Sequence, residues 1–149
     1  MARQIKFEVP GKPVGWQRVG TNKYTGAKYT QAQTRNAEAR IAWAAKTAAH
    51  GIFFERGVPL SLVVYAFMPI PKSASKTDRE LMMVGKKRPT VKPDWDNIGK
   101  LMDALNGVIW HDDAQVVYGS VCKRYAYDEP KIVVVVSELV FEEDCDEAT

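Results

Sequence analysis

Five side chains could do chemistry together: Asp94, Asp96 and Lys100, followed by Asp112 and Asp113. Carboxylates are hard oxygen donors, and Mg²⁺ takes such donors readily. A helix start at Asp94 and a turn at Asp112 can bring several of them to one point. A cation held there would polarise a phosphodiester oxygen and lower the pKa of a bound water, while Lys100 would stabilise the negative charge developing on the phosphate. Lys86, Lys87, Arg88 and Lys92, just upstream, could grip neighbouring phosphates without reading sequence. Each group also has a plain structural reading. Asp94 suits a helix N-cap, and Asp96 suits the positive end of a helix dipole. Asp112 and Asp113 are ordinary turn residues, and Asp96 with Lys100 makes an i,i+4 surface pair.

Periodicity supplies the elements that must hold these groups. Ile98, Leu101, Met102 and Leu105 fall at helical spacing, which predicts an amphipathic helix over 94–106 with Asp96, Lys100 and Asp103 on its outer face. Gly107 stops it, a turn follows at 111–113, and strands are expected over 115–125 and 131–141. Upstream, the alternation of Ile5, Phe7 and Val9 predicts an edge strand closed by Pro10 and Gly11. Residues 12–29 read as a loop or hairpin in which Lys12, Arg18, Lys23 and Lys28 are interleaved with Trp16, Tyr24 and Tyr29. Thr30 and Gln33 match a capping box ahead of a helix over 31–50, with Ala37, Ile41, Ala44 and Ala48 as its buried stripe. The β-branched and aromatic run 60–70 reads as a central strand, and Ser75 or Thr77 caps a short helix ending near Val84. Together these predict one α/β domain over 1–141, with helices packed on a mixed sheet of about four strands. An acidic tail follows over 142–149, five of whose eight residues are acids.

A chain of 149 residues, 46% of them hydrophobic, is long enough for one buried core and short for two. The longest aliphatic run, Ile132 to Val136, is far below a membrane span, and the polar start lacks an apolar export segment. Cys122 and Cys145 form no CxxC pattern, which excludes a disulfide framework and a zinc site of that kind. A soluble protein of a reducing cytoplasm is the expectation. The net charge of +3 hides an asymmetry: residues 1–92 carry 17 Lys or Arg against 5 acids, and residues 93–149 carry 4 against 13. The basic half suits a polyanion, although basic residues also serve simply to solvate a surface.

The segment KPDWDNIGKLMDALNGVIWHDDAQV, residues 92–116, closely resembles the RusA-type Holliday-junction resolvases. Their pattern is Asp-x-Asp-Asn, a lysine four residues after the second aspartate, Asp-Ala-Leu, then Asp-Asp-Ala-Gln-Val. GKPVGWQR near the start and YTQAQTR before the first helix resemble phage-type members, so the likeness extends over residues 3–140. The resemblance implies a magnesium-dependent endonuclease, with Mn²⁺ as a substitute, acting as a homodimer on four-way DNA junctions in recombination and repair. It places Asp94, Asp96 and Asp113 on the family's metal-binding aspartates and Lys100 on its catalytic lysine. Asp112 joins them as a possible further ligand, and Asp103 matches a recurrent acid of unassigned role. Lys12, Arg18, Lys23, Lys28, Lys86, Lys87, Arg88 and Lys92 are the expected DNA contacts. One departure is that Pro89 and Pro93 interrupt the basic run before the motif.

Two competing functions share these features. A branched-DNA-binding protein without nuclease activity would use the same basic half, but gains nothing from an acidic cluster facing phosphate. A different Mg²⁺-dependent phosphodiesterase is disfavoured by the lack of a GxxxxGK phosphate loop. His111, beside Asp112, reads as a solvent-exposed turn residue rather than a base. Trp16, Tyr24 and Tyr29 suit either stacking on unpaired bases or packing on the sheet. Trp95 and Trp110 read as core anchors.

Overall fold

A computed structural model describes residues 2–139. Strands β1 (Gln4–Pro10), β4 (Leu60–Met68), β5 (Val116–Tyr125) and β6 (Lys131–Glu138) form one sheet in the order β1-β6-β4-β5, with short strands β2 (Gly20–Thr21) and β3 (Lys28–Tyr29) paired as a separate hairpin. β6 runs antiparallel to both β1 and β4, while β5 is parallel to β4. The sheet is therefore mixed, and β4 is an inner strand, as its β-branched and aromatic run predicts. The expected end of the last strand at 141 falls outside the described residues, as does the acidic tail.

Parallel neighbours cannot be joined by a tight turn, so the chain needs a long crossover between β4 and β5. That crossover holds α2 (Lys76–Met83), α3 (Trp95–Lys100) and two 3-10 turns, Leu101–Leu105 and Asp113–Gln115. Every predicted acidic residue of the site lies on it. Helix α1 (Ala32–Ala49) packs on β1 and the Leu101–Leu105 turn. The inward face of β4 (Leu60, Val64, Ala66, Met68) and the fully buried Phe54, Ile98, Leu101, Leu105 and Trp110 form the core beneath it. No helix among the described residues is long and apolar enough to cross a membrane.

Three local expectations are corrected. The helix over 94–106 breaks after Lys100 into a 3-10 turn. Leu101, Met102 and Leu105 are nonetheless all buried, so the apolar stripe carries through the break. Thr30 and Gln33 make no capping box: the N-cap of α1 is Gln31, without a side-chain bond. Tyr29 is still held in β3, and the helix start is tied instead by buried Thr34, whose Oγ1 accepts from the Gln17 N–H at 2.9 Å. Ile41 is buried as expected, but the rest of the α1 stripe differs: Thr34, Ala45 and Ala49 are buried, with Ala37, Ala44 and Ala48 packed at its margin.

Candidate active site

Asp94 stands at the N-cap position of α3 but leaves the helix uncapped, and its carboxylate pairs with Lys92 Nζ at 2.9 Å. The first turn of α3 is fixed from the other side by the GKPVGWQR loop, where the Trp16 N–H donates to the Asn97 carbonyl at 2.8 Å. A Cβ on Gly15 would lie 2.9 Å from that of Pro93 and 3.2 Å from that of Asn97, so the approach requires glycine. Lys100, one turn along from Asp96, is held by three groups. Its Nζ lies 3.8 Å from Asp96 Oδ2, 3.4 Å from Asn97 Oδ1 and 4.8 Å from the centre of the Trp16 ring. The early loop and the acidic helix are thus one unit, and Trp16 packs within it against the core.

The second acidic motif is built around Gln115. Its Oε1 accepts from the N–H groups of His111 (3.0 Å) and Asp112 (3.1 Å), and its Nε2 donates to the carbonyls of Glu55 (2.8 Å) and Val58 (3.1 Å). Asp112 completes a capping box by accepting from the Ala114 N–H at 3.0 Å. That bond, followed by the contact with Asp113, holds its carboxyl below the usual range. Asp113 is pushed the other way, up to about 6, by the carboxyls of Asp112 and then Asp103. Glu38 on α1 is also raised, first by its partial burial and then by the charge of Asp103.

The structure therefore gathers the sequence-predicted residues into two groups. Asp94 and Asp96 line one cavity together with Lys92 and Lys123, whereas Asp112 lines another with Arg56 and His111. Asp113 faces Asp103 and Asp112. Among the described residues, no three Asp, Glu, His or Cys side chains are placed so that they could hold a metal ion. His111 is exposed, as a turn residue should be.

The basic residues divide as well. Lys12, Arg18, Lys23, Lys28, Lys86, Lys87, Arg88 and Lys92 are all exposed, and they differ in their partners. Lys23 lies over the Tyr24 ring at 5.4 Å, and Lys28 Nζ donates to Thr21 Oγ1 at 3.0 Å, both within the hairpin arm. Lys87 pairs with Asp78 at 3.1 Å. Arg88 has a framework role: it donates to the Gly85 carbonyl (2.9 Å), Cys122 Sγ (3.3 Å) and the Lys123 carbonyl (3.4 Å), fastening the crossover to β5. Trp110 is fully buried, as expected of a core anchor, but Trp95 is 66% exposed, which corrects the expectation made for it. In α3 the inward stripe begins at Ile98, and Trp95, three residues earlier, precedes the core.

Glu38 and Gln115 were not singled out from the sequence. Gln115 had a signal: Asp112-x-x-Gln115 follows the capping-box spacing, the same pattern that misleads at Thr30. Glu38 had none, because its role comes from packing between α1 and the turn bearing Asp103.

A mixed sheet whose parallel crossover carries two acidic motifs, with a basic loop locked against the first, defines an α/β protein with the makings of a phosphate-ester site. The chain matches the family model Endodeoxyribonuclease RusA over residues 10–137 and belongs to that family. It is also 44% identical over 84 residues to a Bacillus subtilis (strain 168) protein described as "Uncharacterized protein YqaN". That match covers 54% of this chain and 58% of the relative's length.

Proposed function

We propose that the protein is a Mg²⁺-dependent, structure-selective endodeoxyribonuclease that resolves four-way DNA junctions as a homodimer, by paired symmetric nicks. Family membership supports the nuclease class. The observation that carries the reading to these residues is the uncapped helix at Asp94. An N-cap aspartate is worth about 0.5–2 kcal/mol to a helix, and here the carboxylate forgoes that role and faces the cavity it shares with Asp96.

The donor chemistry fits a hard divalent cation, Mg²⁺ or Mn²⁺. Asp94 and Asp96 are about half exposed, and Asp113 sits in like-charge contact with two other carboxylates, a repulsion that a bound cation reverses. Asp94, Asp96 and Asp113 would hold the ion, which when bound supplies Lewis-acid polarisation of the phosphate and an activated water. Lys100, pinned by Asp96, Asn97 and Trp16, would place its charge beside the reacting phosphate. The exposed lysines and Arg18 would position the DNA arms.

A second chain would bring the two acidic groups together. Among the described residues, the edges of the sheet are β1 and β5. β1 is guarded by Lys6, Glu8 and Pro10, whereas Val117–Ser120 of β5 carries no charge and leaves Val117 and Tyr118 each 59% exposed. Two-fold antiparallel pairing of this edge with itself would bring the start of one β5, just after Asp113, toward the end of the other, where Lys123 borders the Asp94–Asp96 cavity. Such a dimer also matches the near two-fold symmetry of a four-way junction.

The test is to incubate the protein with an end-labelled four-way junction and with a linear duplex of the same sequence, in Mg²⁺ or EDTA. Symmetric nicks in the junction alone, lost in EDTA, are expected. A junction shifted equally in both conditions and never nicked would mark a non-catalytic binder, and turnover of free nucleotides without regard to DNA shape would mark a different phosphodiesterase.

A further inference from the structure

Trp95 is the one residue between the two aspartates of the first motif, and a large aromatic side chain left 66% exposed there is unused by the fold. It forms one wall of a cavity of about 590 Å³, within the range of small-ligand sites, with Val91, itself 63% exposed, also lining it. Around this apolar surface stand Thr90, Lys92 and Lys123, together with Asp94 and Asp96. Lys92 pairs with Asp94, and Lys123 Nζ donates to the Val91 carbonyl at 2.6 Å, fixing that wall. An aromatic and an aliphatic face match a flat, apolar ring, and the two ammonium groups offset the charge of Asp94 and Asp96 where an anionic backbone would pass.

We propose that this cavity is a nucleobase subsite, in which Trp95 stacks on an unpaired base of branched DNA adjacent to the phosphate that is cut. The inference rests on the nuclease reading above, because only a DNA strand lying over Asp94 and Asp96 brings a base to this wall. Paired duplex offers no free ring face, whereas a branch point offers bases that have already lost a stacking partner. Base–aromatic stacking is tolerant of base identity, so the subsite selects DNA shape rather than sequence. Trp95 is in this account a specificity-determining residue, distinct from the carboxylates and Lys100.

The test uses a four-way junction bearing 5-iododeoxyuridine in place of thymidine at the branch, bound to the full-length protein in Ca²⁺ and irradiated with long-wave ultraviolet light. Crosslinking strongly favours an aromatic residue in contact with the base. Peptide mapping is expected to place the crosslink on Trp95, with retention in Trp95→Phe and a fall of about 10-fold in Trp95→Ala, alongside weaker binding to the junction but not to duplex. A crosslink that maps to Trp16, Tyr24 or Tyr29, or that survives Trp95→Ala undiminished, overturns the subsite. So does a Trp95→Ala chain that no longer dimerises by light scattering, since Trp95 would then be covered by a second copy. Nicking of the unmodified junction by the wild type, assayed in parallel, separates the two readings. Nicks without a Trp95 crosslink sink only the subsite, whereas loss of both nicking and binding sinks the nuclease reading and the subsite with it.

Discussion

Asp113 is the residue at which electrostatics and chemistry meet. Packed against Asp112 and Asp103, its carboxyl keeps a proton up to about pH 6, whereas an unfolded aspartate releases it near pH 3.9. The folded chain therefore binds more protons than the unfolded chain between those values. The contribution of this group to stability is greatest below about pH 3.9 and is lost as pH rises through 6. Asp113→Asn removes the repulsion, and because the group is exposed the gain is small, about 0.2–1 kcal/mol. The variant is expected to melt roughly 1–3 °C higher than wild type at pH 7.5 and metal-free, with the difference vanishing near pH 4, as checked by calorimetry across that range. A difference that grew on acidification would reverse the sign assigned to this contact. Asp112 behaves oppositely, its carboxyl held below the usual range by the Ala114 N–H that fixes the turn.

The crossover is the element that makes the site, and its legibility in sequence was uneven for physical reasons. The apolar spacing of Ile98, Leu101, Met102 and Leu105 gave away their burial, because the i,i+3 pairs Ile98–Leu101 and Met102–Leu105 stay on one side in either kind of turn. The break after Lys100 was not readable, since the apolar spacing is the same on either side of it. The four main strands were legible from their β-branched runs. The acidic motifs were legible as types and spacing, but which cavity each carboxylate lines depends on tertiary placement alone. Gln115 shows the same limit: its spacing from Asp112 was visible, yet its bonds to Glu55 and Val58 are long-range. Gln115→Ala takes a partner from the Val58 carbonyl and from the N–H groups of His111 and Asp112, while the Glu55 carbonyl keeps its bond from the Val58 N–H. It is expected to cost about 1–3 kcal/mol, measured as a drop in the urea midpoint, and to lower nicking further by loosening the Asp112–Asp113 turn. Unchanged stability would show that water replaces the amide at no cost.

At the scale of the whole molecule, the proposed resolvase would act as two chains. If each site combines Asp94 and Asp96 of one protomer with Asp113 of its partner, then Asp94→Asn and Asp113→Asn are each inactive alone, but their heterodimer contains one intact site. Mixing the two variants under conditions that exchange subunits is expected to restore single nicks to a junction. If each chain holds a whole site, the mixture stays inactive. The measurement that reaches the central claim most directly is made on an end-labelled four-way junction in Mg²⁺, comparing nicking and gel-shift binding by wild type and Asp94→Asn. Wild type should cut the junction in symmetric pairs, while Asp94→Asn binds it with an affinity within a few fold and cuts at least about 100-fold more slowly, a loss of roughly 2.7 kcal/mol in transition-state stabilisation. Cutting by Asp94→Asn at the wild-type rate would contradict the account, because the carboxylate that forgoes the helix cap would then have no part in the chemistry.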